Sequence, residues 1–149
     1  MDVPEHTIAA WTALVSVSRR LLEAVENDLR IAGLPELSWY DVLLEIGREG
    51  EAGIRPFDLK DRLLLPQYYT SRLLSRLEKA GAVERRPCAG DGRGHVVVLT
   101  KIGRQLRRDM WEVYSAALMR LVGIKLNANE SEKLSELLSI LCEPHASMV

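Results

Sequence analysis

Between Gln67 and Arg76 the chain reads Gln-Tyr-Tyr-Thr-Ser-Arg-Leu-Leu-Ser-Arg, and no carboxylate follows until Glu78. Gln67 can donate and accept at an adenine edge. Tyr68, Tyr69 and Ser71 can hydrogen-bond to phosphates or base edges, and tyrosine rings can touch thymine methyls. Arg72 can fork onto guanine or clamp a phosphate; Arg76, one turn later, suits a phosphate. An ordinary exposed helix gathers acids in its first turn, at the positive end of its dipole. Their exclusion here fits a surface that approaches nucleic acid. For Tyr68 and Tyr69 the competing reading is packing against neighbouring elements. Further on, Arg93 stands among Gly90, Gly92 and Gly94, which suits insertion into a narrow minor groove, where negative potential is strongest.

These residues need elements to hold them. Leu73, Leu74 and Leu77 form the inward stripe of a helix from Gln67 to Ala80, and Gly81 closes it. A shorter helix, Phe57 to Leu63, precedes it across the break Leu64-Leu65-Pro66. Val83 to Pro87 reads as a strand, Cys88 to His95 as a hairpin tip, and Val96 to Leu99 as the return strand, with Ile54-Arg55 a very short third strand. Helix, tight turn, helix, hairpin is the order of a winged helix-turn-helix, whose second helix enters the DNA major groove. Arg85 and Arg86 alternate across their strand, so only one can face DNA.

Longer helices flank this unit. One runs from about Glu5 to Ala32; Ser38 is the expected N-cap of the next, with Asp41 in its first turn. Thr100 caps another, about Lys101 to Lys125, and Glu130 to Leu141 forms the last. Their apolar stripes exceed what residues 57–100 can cover, so they predict packing against the same helices of a second copy, most simply about a two-fold axis. The expected fold is mainly α with a small β-hairpin wing. Residues 36–100 form the winged lobe; residues 1–34 and 101–149 form a helical dimerisation region.

Net charge is -1 over 149 residues, yet residues 55–108 hold 13 Lys+Arg against 5 Asp+Glu, leaving 7 against 16 elsewhere. Positive charge gathered on one module is the footprint of a nucleic-acid binder. No run approaches about 18 apolar residues, so no membrane span is expected. The acidic, polar start lacks the pattern of a signal peptide, so a cytoplasmic location is expected. His6, His95 and His145 show no metal-binding spacing; Cys88 and Cys142 make no Cys-x-x-Cys pair, and no phosphate loop or nucleophile elbow occurs. Neither an enzyme nor a cofactor is expected. Two alternatives stay open. One is a winged helix used as a protein-interaction scaffold without DNA, against which the charge and the acid-free helix face weigh. The other is a redox switch at Cys88, whose thiolate the nearby Arg86 would favour; a passive thiol is the plainer reading.

Leu77-Glu78-Lys79-Ala80-Gly81, Glu84-Arg85-Arg86-Pro87, the Asp91-x-Arg93 pair and Leu99-Thr100-Lys101-Ile102-Gly103 follow in an order and spacing that resemble the MarR family of bacterial transcription regulators. The resemblance extends over the whole chain. It implies a homodimer that binds a short pseudo-palindromic operator in double-stranded DNA and usually represses. It also implies release by a small, often aromatic, effector in a crevice between the dimerisation helices and the lobe. In this frame Asp91 braces the wing against an arginine. Trp11, Trp39, Tyr40 and Trp111, with His6, lie on helices that border the crevice; core or interface packing is the plainer reading for these rings, and exposure for His6. Relatives that sense peroxide carry their reactive cysteine near the start of the first helix, where this chain has none. Relatives also often have Gly where this chain has Leu64 and Ser where it has Pro66; neither change removes a DNA contact.

Overall fold

The computed structural model describes residues 2–63, 65–88 and 94–142. Its first helix, α1 (Glu5–Ile31), has 27 residues and so runs about 40 Å. Only the C-terminal half is covered: Val25 and Leu29 are buried, while Ile8, Trp11, Val17 and Leu22 stand exposed. Gly33 ends it by adopting φ +71°, which glycine reaches without a Cβ penalty. The Gly33 amide then donates to the Arg30 carbonyl and the Leu34 amide to the Leu29 carbonyl, satisfying carbonyls left over at the helix end.

The second helix, α2 (Leu37–Arg48), buries Leu37, Trp39, Tyr40, Val42, Leu43 and Ile46. Its start differs from the expectation. Glu36, not Ser38, occupies the capping position, and no local side chain caps the helix. Glu26 on α1 supplies the acceptor, its two carboxylate oxygens lying 3.1 and 3.3 Å from the Leu37 amide. Ser38 falls inside the first turn, its hydroxyl buried with no partner among the described residues.

A tight turn at Gly50–Ala52 delivers Ile54 to the hairpin. There Ile54 exchanges two backbone hydrogen bonds with Val97, at 3.1 and 2.8 Å, so the expected third strand is a single bridge. Next come α3 (Pro56–Leu63), which buries Leu59, and α4 (Gln67–Lys79), which buries Thr70, Leu73, Leu74 and Leu77. That spacing of three, four and seven is one face of a helix. The strands β1 (Val83–Pro87) and β2 (His95–Leu99) pair antiparallel, from Val83 opposite Leu99 to Pro87 opposite His95.

At the start of α5 (Lys101–Leu118) one side chain joins two elements. Thr100 Oγ1 accepts from the Gly103 amide at 3.1 Å, as a cap should, and donates to the Gly81 carbonyl at 2.5 Å. Gly103 lies so close to the Ala82 carbonyl that a Cβ would overlap it. The periodicity predicts this helix unbroken to Lys125; its α-helical part instead stops at Leu118 and passes into one π-helical turn, Met119–Gly123. The last helix, α6 (Ala128–Cys142), opens on a reciprocal Asn127–Glu130 capping pair, 2.9 Å each way. It buries no residue within the chain. The core thus lies between the end of α1, α2 to α4, the hairpin and α5, with Leu29, Leu43, Ile46, Leu59, Leu77 and Met110 fully enclosed. Among the described residues no helix is long and apolar enough to cross a membrane.

Candidate nucleic-acid interface

Because α4 turns its leucines inward, Gln67, Tyr68, Ser71, Arg72, Ser75 and Arg76 face solvent. The first turn carries no acid, so its free amides and positive dipole end remain open to an anion. Pro66 sits at the cap, and its carbonyl accepts from the Thr70 amide and hydroxyl at 3.1 and 3.3 Å. Ser71, Arg72, Ser75 and Arg76 line a shallow concavity of about 340 Å³. Ser75 was not among the expected contacts, although the helical repeat sets it beside Ser71 and Arg72.

Neighbouring tyrosines part company. Tyr68 is 65% exposed, with the Arg72 guanidinium 5.9 Å from its ring centroid. Tyr69 is half-buried and packs on the hydrophobic core, so it belongs to the packing reading, not to the outward face. Arg76 is held more firmly than Arg72. Its Nη1 lies 2.9 Å from Glu36 Oε1, and its guanidinium carbon is 5.5 Å from the centroid of the Trp39 ring. Nothing local in the sequence announces Glu36 as its partner, 40 positions away.

At the base of the wing both arginines are tied to acids. Arg85 donates to Glu78 at 2.8 Å and to His95 Nε2 at 2.5 Å. Arg86 joins Glu84 at 2.6 Å and Glu51 at 2.8 Å. The hydrogen bond from Arg86 holds the Glu51 carboxyl below its ordinary range. Part of the positive charge on this segment is thereby matched within the fold. Cys88 is a free, half-buried thiol. Asp91, Arg93 and Leu64 lie outside the described residues.

Of the four aromatic residues expected to border one crevice, only Tyr40 and Trp111 meet. Tyr40 stacks on Trp111 at 5.9 Å between centroids, and Tyr114 meets both edge-on at 5.3 and 5.9 Å. Burial pushes the Tyr40 and Tyr114 hydroxyls above their ordinary pKa. Trp39, the residue before Tyr40, projects about 100° away around the helix, under Arg76, with its indole N–H buried and unpartnered among the described residues. Trp11 is 68% exposed and lines, with Leu134, Leu137, Leu138 and Leu141, an apolar groove of about 580 Å³ between α1 and α6. Three separate environments replace the one expected. Tyr114 of α5 completes the cluster.

The family model for MarR regulators matches residues 32–94, the span from the end of α1 to the wing. AbsC, a MarR family transcriptional regulator from Streptomyces coelicolor, shares the fold with a TM-score of 0.85 at 26% identity, over 95% of each chain. The central lobe thus matches the MarR family, and the fold over nearly the whole chain is that of MarR regulators. The chain is a winged-helix transcription regulator, with α3 and α4 as its helix-turn-helix and β1–β2 as its wing. A mutant MarR from E. coli complexed with operator DNA matches at 25% identity and a TM-score of 0.81, over 96% of this chain and 100% of that one. CouR from Rhodococcus jostii, bound to p-coumaroyl-CoA, matches at 25% identity and 0.75, over 88% and 90%. A search of curated proteins gives no match.

Proposed function

We propose that this MarR-family chain acts in the cytoplasm as a homodimeric repressor, with α4 of each copy in the major groove of a pseudo-palindromic operator. The observation that carries the reading is the outward face of α4: polar and cationic side chains from Gln67 to Arg76 with no acid among them. Gln67, Tyr68, Ser71 and Arg72 occupy the first two turns, the part of a recognition helix that contacts base edges. Arg76 reaches phosphate, Arg93 the minor groove, and Asp91 braces the wing. The likeness to a MarR complexed with operator DNA supports this assignment.

Residues 1–34 and 101–149 form the dimerisation region and residues 36–100 the DNA-binding lobe. Support comes from α6, which buries nothing within the chain while Leu134, Leu137, Ile140 and Leu141 stand exposed. A contiguous apolar face of this kind marks a protein interface. We assign relief by a small aromatic effector to the Tyr40–Trp111–Tyr114 cluster, where rings from two helices converge. The ligand-bound state of CouR supports a small-molecule response.

The test is fluorescence anisotropy with duplexes from the DNA adjoining the coding region, at 50 to 200 mM salt. Affinity should depend on sequence and fall steeply with salt, by about 0.9 in log–log slope for each phosphate neutralised. Arg72→Ala should cost about 1–3 kcal/mol of binding with an unchanged melting temperature. A flat salt response sinks the reading.

A further inference from the structure

We propose that Glu36 governs how strongly this protein grips DNA of any sequence, by holding Arg76 back from phosphate; the inference rests on the DNA-binding reading above. Arg72 and Arg76 share one face of α4, a turn apart, yet their surroundings differ. Arg72 lies over Tyr68 and has no carboxylate partner among the described residues. Arg76 lies over the Trp39 ring and is paired with Glu36 at 2.9 Å. The Glu36 end of the pair is well placed to persist. Glu36 stands at the start of α2, and the next residue, Leu37, is fixed through its amide by Glu26 of α1. With Trp39 covering one face of the guanidinium and Glu36 taking one of its edges, Arg76 is directed toward the α1–α2 junction.

The same pair is open enough for DNA to compete. The side chains of Arg76 and Glu36 are 59% and 43% exposed, and an ion pair at such exposure is weak. A phosphate can therefore displace or share Arg76, but part of the attraction is spent against the carboxylate. Phosphate contacts are blind to sequence. Glu36 thus lowers affinity for duplex DNA of any sequence while leaving Gln67, Tyr68 and Arg72, the side chains assigned to base edges, untouched. It is a positioning residue acting through Arg76.

The experiment uses the full chain and a random-sequence duplex of about 30 base pairs, so no operator need be known. Binding is followed by anisotropy from 50 to 200 mM NaCl for the wild type, Glu36→Gln, Glu36→Ala, Glu36→Asp, Arg76→Ala and the Glu36→Gln/Arg76→Ala double variant. Thermal melts verify that each is folded. Glu36→Gln and Glu36→Ala should tighten binding several-fold and steepen the log–log salt slope by about one, the share of one phosphate contact. Glu36→Asp, which keeps the charge, should behave as the wild type, and Glu36→Gln should change nothing once Arg76 is gone. If neutral variants bind as the wild type or more weakly, or if the tightening survives without Arg76, the inference is overturned. A wild type indifferent to the duplex at 50 mM salt overturns the DNA-binding reading as well, which separates the two failures.

Discussion

Asp41 projects from the first half of α2 toward two other acids, Glu26 and Glu45. Partial burial, then repulsion from these two, raises its pKa above the ordinary carboxylate value. A raised value means that the folded chain binds this proton more tightly than the unfolded one, so ionising Asp41 costs stability. The cost is absent below the unfolded value of about 3.9, grows as pH rises through the folded value, and is complete at neutrality. Asp41→Asn should therefore raise the melting temperature slightly at pH 7, and the gain should vanish near pH 3. Melts of both proteins across that range check it; a gain independent of pH would contradict the assignment. Other side chains on α4 were legible without coordinates, because the leucine repeat defines which way Gln67, Ser71 and Arg72 point. Tyr69 was not, since a large ring one position from the stripe can fold back onto the core. Nor was Glu36, whose partner is distant in the chain.

The α4–β1–α5 junction depends on a glycine. Gly103 packs against the Ala82 carbonyl with no room for a Cβ, and its amide is the group that the Thr100 cap binds. Gly103→Ala must push α5 away from that carbonyl, at a cost of about 1–3 kcal/mol, typical of overpacking. For a chain of this length each kcal/mol lowers the melting temperature by about 2–4 °C, which a thermal melt resolves. An unchanged melting temperature would mean the contact yields freely. Caps show how element boundaries become readable. Thr100 and Gly103 are three residues apart, a local pattern, whereas the start of α2 is capped by Glu26, 11 positions before Leu37. Ser38 was the local candidate and lost to a side chain from another helix. The π turn at Met119 has no such signal, because the stripe Val113, Ala117, Leu121 runs through it without a break.

For the molecule as a whole, the terminal helices carry much of the exposed apolar surface. Leu137 is 54% exposed at the centre of the α6 stripe. If a second copy covers that stripe, Leu137→Lys places a charge where apolar contact is needed and should shift the protein to monomer at micromolar concentration, with its helix content kept. Sedimentation and far-ultraviolet circular dichroism read both; a dimer of undiminished affinity would remove α6 from the interface. The surplus of apolar residues on these helices was plain from composition and period. The dispersal of Trp11, Trp39 and Tyr40 into separate surroundings was not, because a sequence assigns rings to helices without saying which helices converge.

Thr100 has one further consequence. Its hydroxyl serves the end of the α4 turn and the beginning of α5 at once, so one side chain joins the lobe to the helix that leaves it. The opposite attachment, residues 32–36, is tied to its neighbours through the side chains of Glu26 and Glu36 and turns at a glycine. The lobe is thus fastened at both of its ends by a few polar side chains, and losing one of them would loosen a boundary while leaving the leucine core between them intact.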